Sequence, residues 1–237
     1  MFIRKLLFAL TAAVALFSPA SAADLYTKAP AYLTYPTGNG FFWGLSASGL
    51  GGTTSSTGGL PSGNLIGGKF GLDFGYTGTL GTGGFWFVEH NFNAQALQGS
   101  GAGLSLSAAF GMEQRFAVGA SQAVVAQFAS LLPGLSGVAM PSVPTLPNIT
   151  FSPANYYVFA ATFEDDVSAK LGTATGKSWL FSYGAGVGAL FRASNGWLVD
   201  TSVEWKHSDT GLLVGASPVG SIQPFADAVL GTVRLKF

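Results

Sequence analysis

The feature that most constrains this chain is an alternation of side-chain character that recurs eight times. It is clearest from Trp197 to Asp209, "WLVDTSVEWKHSD". One parity carries Trp197, Val199, Thr201, Val203 and Trp205; the other carries Leu198, Asp200, Ser202, Glu204, Lys206 and Ser208. A period of two marks a strand whose faces meet different surroundings. Phe41 to Leu50 repeats it, with Phe41, Trp43, Leu45 and Ala47 on one face. Ile66 to Tyr76 sets Phe70, Leu72 and Phe74 against Lys69 and Asp73, and Phe85 to Ala94 sets Trp86, Val88 and Phe92 against Glu89, Asn91 and Asn93. Leu104 to Val118 sets Leu106, Phe110, Met112 and Phe116 against Ser105, Ser107, Glu113 and Arg115. Tyr157 to Leu171 sets Phe159, Phe163 and Val167 against Thr162, Glu164, Asp166, Ser168 and Lys170. Trp179 to Arg192 sets Phe181, Tyr183, Val187 and Phe191 against Ser182, Gly184, Gly186, Gly188 and Arg192. Phe225 to Phe237 sets Val229, Val233, Leu235 and Phe237 against Thr232, Arg234 and Lys236.

Most of these segments reach 10 residues or more. Strands of soluble domains average nearer five or six residues, whereas a tilted strand needs about 9–11 to cross a bilayer. Turn signals separate them at Gly81 to Gly84, Gly99 to Gly103 and Ser194-Asn195-Gly196. Which face points inward is decided by charge. Charged residues are 9% of the chain against 48% hydrophobic, with mean hydropathy +0.40. A soluble sandwich of eight strands turns its polar faces to water, and this chain has too few charges to cover them. A membrane barrel inverts the arrangement: apolar side chains meet lipid, polar ones line the interior, and closure leaves no unpaired edge. Trp43, Trp86, Trp179, Trp197 and Trp205 lie near strand ends, where interfacial belts form. The expected fold is therefore all-β, a transmembrane antiparallel up-and-down barrel of eight strands.

The first residues carry an export signal. Arg4 and Lys5 precede the apolar stretch Leu6 to Phe17, and Ala20-Ser21-Ala22 is an A-x-A site. Cleavage is expected between Ala22 and Ala23, making residues 1–22 a signal peptide. Residues 23–40 read as a periplasmic N-terminal segment and 41–237 as the barrel. Its removal takes Arg4 and Lys5 from 11 basic residues, leaving nine against 11 acidic ones, a net charge near −2. That balance, with no basic cluster, argues against nucleic-acid binding. Past the signal there is no apolar run of the length a spanning helix needs. Cysteine is absent, so no disulfide braces the exported chain.

These motifs resemble a family, the small outer-membrane β-barrel proteins of alphaproteobacteria, the outer-membrane immunogenic or porin-like group. "AADLYTKAPAY" resembles its mature N-terminus and "NGFFWGLSASGLGG" its first strand. "WLFSYGAGVGALFRASNGWLVDTSVEWKHSD" resembles its late hairpin, and "LGTVRLKF" its C-terminal assembly signal ending in Phe237. The resemblance implies the outer membrane of a Gram-negative bacterium. It implies as partners the outer-membrane lipids and lipopolysaccharide, periplasmic chaperones and the outer-membrane assembly machinery. It leaves open whether the barrel conducts. One segment departs from it: residues 119–154 replace an expected short periplasmic turn. Gln122 to Leu132 could form a short helix, and the Pro-rich remainder cannot be a central strand. The insertion is expected in the periplasm, with an outer loop as the alternative.

No metal spacing, phosphate loop or cofactor motif is present; the histidines are His90 and His207 alone. His90 falls on the lipid face and reads as a membrane-interface residue. His207-Ser208-Asp209 invites comparison with outer-membrane lipid A deacylases, but adjacent residues of a strand point to opposite faces. The informative residues are charged. Parity points seven cations inward, Lys69, Arg115, Lys170, Arg192, Lys206, Arg234 and Lys236. It points seven anions inward as well: Asp73, Glu89, Glu113, Glu164, Asp166, Asp200 and Glu204. An eight-stranded barrel is just wide enough for side chains to fill, and buried charges require partners. The expectation is a lumen plugged by ion pairs, with Glu204 and Lys206 approaching Arg234 and Lys236 across the interior. The expected function is structural or surface-interacting, not enzymatic and without a cofactor. The alternatives are a narrow porin-like channel or a hydrophobic-ligand carrier and, more remotely, an outer-membrane lipid hydrolase.

Overall fold

In the computed structural model the described residues form nine strands of one antiparallel sheet, eight of them on the alternating segments: β1 (Gly40–Ser56), β2 (Gly63–Leu80), β3 (Gly84–Gly101), β4 (Leu104–Ser121), β5 (Asn155–Leu171), β6 (Ala174–Arg192), β7 (Leu198–His207), β8 (Leu212–Val214) and β9 (Gly220–Lys236). The structure describes residues 39–58, 62–81, 83–101, 104–125, 151–152, 154–194, 196–209, 211–214 and 220–237. The expected signal peptide and cleavage site lie outside them.

From β1 to β7 each strand pairs with the next, β7 and β8 both pair with β9, and β1 pairs with β9, which closes the sheet. The wall has eight positions because the three-residue β8 takes up the pairing with β9 beyond the end of β7. Closure gives every strand but β8 two neighbours, so the backbone groups of an apolar wall find partners within the sheet. Two connections turn on glycines with positive φ, Gly172 (60°) and Gly196 (91°), a conformation that a side chain would strain.

The register fixes the slope of the strands. Trp43 and Phe237 exchange backbone hydrogen bonds of 3.2 and 2.8 Å. From that pair the row runs through Phe74, His90, Gln114, Thr162, Tyr183 and His207. One step past the Lys206–Ala228 pair it returns to β9 beside Asp227, 10 residues from its start. A stagger of that size over eight strands tilts them by about 40°. The longer strands, 17 to 19 residues, then rise about 40 Å along the axis, against an apolar band of about 25 Å in membrane barrels.

The barrel is apolar outside and charged inside. Phe70 is 60% exposed and Phe116 54%, whereas Arg234 and Lys236 are each 1% exposed. Aromatic rings gather at the end that holds the barrel's first and last residues: Trp43 and Trp197 lie 4.8 and 5.9 Å from Phe237, and Tyr76 lies 5.9 Å from Trp86. A second aromatic contact, Phe110 with Trp179 at 6.0 Å, stands toward the opposite end.

Two strands differ from the sequence expectation. In β4 the pairing with β5 shifts between Ala108 and Phe110. The extra residue flips the parity, so Leu106 is buried and Ser105 and Ser107 face outward. In β5 the whole assignment is reversed: Tyr157, Phe159, Phe163 and Val167 face the lumen, and Glu164 and Lys170 are exposed. The reason lies on β6. A Cβ on Gly186 would stand 2.5 Å from the Phe159 ring, and one on Gly188 would collide with Tyr157. The glycines leave the volume that the β5 aromatics fill. The expected insertion also begins later, since β4 runs to Ser121 before a helix starts at residues 122–125. This connection leaves from the end that holds the barrel's first and last residues; residues 126–150, most of it, lie outside the described ones.

Candidate functional site: the charged lumen

Glu89, at the inward parity of β3, is the hub of the lumen. Its Oε1 lies 3.0 Å from Arg115 Nη1 and 3.0 Å from Arg234 Nε, and its Oε2 lies 2.5 Å from Lys236 Nζ. The cations come from β4 and β9, which flank β3 or face it across the barrel. Lys236 also meets Asp200 at 2.8 Å, and Arg234 meets Glu113 at 3.1 Å and Asp73 at 3.5 Å. Arg115 donates to Tyr157 Oη at 3.0 Å, and Tyr157 in turn donates to Asp200. Asn91 donates to Asp73 and Ser46, and Arg234 donates to Ser202. Aromatic faces cushion the cations: Arg115 sits 4.0 Å from the Phe159 ring centre and Lys236 4.4 Å from that of Phe87.

A smaller group lies farther from the chain ends. Lys206 pairs with Asp165, which also accepts from Gln95 Nε2 at 2.6 Å. Lys206 lies 3.7 Å from the Phe225 ring centre, and Lys69 lies 4.9 Å from that of Phe163. Buried apolar side chains form two clusters in the lumen beside the charges. Phe42, Phe85, Leu190 and Leu198 belong to one cluster, toward the end that holds the barrel's first and last residues. Leu65, Leu97, Leu106, Leu180 and Ile222 belong to the other, toward the opposite end.

Ten of the 14 charges expected in the lumen are buried there: Lys69, Asp73, Glu89, Glu113, Arg115, Asp200, Glu204, Lys206, Arg234 and Lys236. Glu164, Asp166 and Lys170 are instead on the outer wall, because β5 is reversed. Asp166 pairs there with Lys177 at 3.0 Å. Arg192, the last residue of β6, is half-buried at the rim. The expected approach of Glu204 to Lys206, Arg234 and Lys236 is not what forms, since those cations hold other carboxylates. Glu204 is 1% exposed, and neither of its carboxylate oxygens has a hydrogen-bond partner among the described residues. Asp165 and Tyr157 were missed with the parity of β5; the glycines of β6 were the signal for both.

His90 is exposed on the outer wall, two outward positions beyond Trp86 and inside the apolar belt rather than at its rim. The three residues His207, Ser208 and Asp209 do not form a relay. His207 Nε2 lies 3.0 Å from Asp209 Oδ1 and Nδ1 lies 2.5 Å from the Ala226 carbonyl, while the Ser208 hydroxyl donates to the Phe181 carbonyl at 3.0 Å.

A closed antiparallel barrel with an apolar exterior and a buried ionic interior defines a membrane-spanning β-barrel protein. No family model matches the chain, and no curated protein matches it in sequence. Among solved structures, it is similar to Neisserial surface protein A, with 11% identity and TM-score 0.43, covering 84% of this chain and 97% of that one. It is also similar to Ail, the attachment invasion locus protein of Yersinia pestis, with 10% identity and TM-score 0.33, covering 83% and 98%. A third is the N-terminal β-barrel domain of Pseudomonas aeruginosa OprF, with 11% identity and TM-score 0.31, covering 82% and 97%. Likenesses this distant carry no argument; the fold rests on its own strand register.

Proposed function

We propose that this chain is an outer-membrane protein of a Gram-negative envelope with a structural or surface-interaction role, its lumen plugged by paired charges. One observation supports the reading: ion pairs around Glu89 and two apolar clusters of buried residues share the lumen. Outer-membrane lipids and lipopolysaccharide surround the wall, and periplasmic chaperones and the assembly machinery deliver it. Phe237, packed on Trp43 and Trp197 where the last strand meets the first, is the residue that machinery reads. The resemblance to the alphaproteobacterial outer-membrane immunogenic group belongs to the same reading. The barrel's first and last strand ends, Gly40 and Lys236, face the periplasm, and the strand ends at Ser56, Gly101, Leu171 and His207 face outward.

Membrane fractionation with thiol labelling tests this, and the lack of native cysteine keeps it clean. A membrane-impermeant maleimide on intact cells should label Thr173→Cys and spare Ser194→Cys until the outer membrane is broken. Label at Ser194→Cys in intact cells, or recovery of the protein with the inner membrane, would overturn the placement.

A further inference from the structure

Among the described residues the outer wall carries few charges, and Glu164, Asp166 and Asp227 are acidic ones. Among the described residues, two lysines face outward at the end away from the barrel's first and last residues, Lys170 on β5 and Lys177 on β6. Both line the same cleft, of about 450 Å³, together with the hydroxyls of Ser105, Ser107, Ser168 and Thr175. Lys177 is partly neutralised by Asp166 at 3.0 Å, and Lys170 is exposed. The register places this cleft just past the Phe110–Trp179 contact, because Asp166 pairs with Trp179 and Ser168 with Lys177.

A bilayer orders its chemistry in the same way. Acyl chains lie against apolar and aromatic wall, and charged headgroups lie a few ångströms beyond it. The cleft offers two ammonium groups and four hydroxyl donors at headgroup depth, with aromatic rings beneath. The β4 bulge helps to build it, since the flipped parity turns Ser105 and Ser107 outward. We infer that this cleft binds the phosphorylated headgroup of an outer-leaflet lipid, with Lys170 and Lys177 on its phosphates and its acyl chains along Phe110 and Trp179. A free phosphate would use the lysines but not the rings. The assignment rests on the outer-membrane placement proposed above.

The test uses the refolded full-length barrel in nanodiscs of phosphatidylcholine containing a little bisphosphorylated lipid A. Native mass spectrometry of the released protein counts the lipid it keeps. The wild type should retain lipid A about tenfold better than a Lys170→Gln/Lys177→Gln double variant, in line with the worth of a lysine at an anionic membrane surface. It should show no such preference for dephosphorylated lipid A, and excess inorganic phosphate should not displace the bound lipid. Equal retention by the two proteins, or equal retention of the dephosphorylated lipid, would overturn the site. Displacement by inorganic phosphate would mark it as a free-anion site instead. If the double variant folds poorly, Lys170→Gln alone gives the same comparison. Heat-modifiable migration and insertion into phosphatidylcholine vesicles are scored separately; failure there refutes the membrane reading itself.

Discussion

Glu89 and Glu204 are both glutamates, both on inward parity and both buried, yet their surroundings are opposite. Glu89 is held by three cations, and Glu204 by none among the described residues. Removing one partner from a fully desolvated ionic cluster strands the others, at a cost of about 3–5 kcal/mol. Glu89→Gln should therefore lower the unfolding free energy in detergent by an amount of that order, read as a fall in the denaturant midpoint. The described lumen holds six carboxylates, Asp73, Glu89, Glu113, Asp165, Asp200 and Glu204, against five cations, Lys69, Arg115, Lys206, Arg234 and Lys236. Glu204 is the surplus anion. Glu204→Gln keeps its shape and removes a charge with no partner to lose, so it should leave the midpoint unchanged or raise it. A fall as large as that for Glu89→Gln would show that Glu204 holds a cation after all.

At the scale of a strand, β5 states how far alternation can be read. In β2, β3, β7 and β9 one parity is plainly charged and the other plainly apolar, and the faces followed from that contrast. In β5 both faces are mixed: Phe159 and Phe163 stand against Thr162 and Glu164, and the rule that apolar residues face lipid chose wrongly. The rule fails because a lumen full of cations also wants aromatic faces, and β6 supplies Gly184, Gly186 and Gly188 to make room for them. The β4 bulge was hidden for a different reason, since one extra residue in an alternating run leaves no mark in composition. The pairing partners in the lumen were equally hidden, because parity gives a face but not a neighbour. Single cysteines on β5 test the reversed face. In detergent-solubilised, folded protein, Glu164→Cys should react with maleimide at once and Asp165→Cys only on unfolding. Reaction of Asp165→Cys in the folded protein with Glu164→Cys protected would restore the opposite parity.

The whole molecule is an inversion of a soluble fold: its greasiest surface is outside and its ion pairs are its core. Its closure depends on the seam where β9 meets β1, and Phe237 ends that seam with rings and backbone bonds to Trp43. Deleting Phe237 should reduce the yield of outer-membrane barrel in fractionated cells while export to the periplasm continues; normal insertion would refute its role in assembly. The central claim concerns the interior. Charges locked in pairs beside two apolar clusters conduct nothing, whereas the same charges independently hydrated would line a channel. Planar-bilayer recording of the purified, refolded wild-type protein decides between the two. The account predicts insertion without a steady conductance, and a stable ohmic current that rises with salt concentration would contradict it.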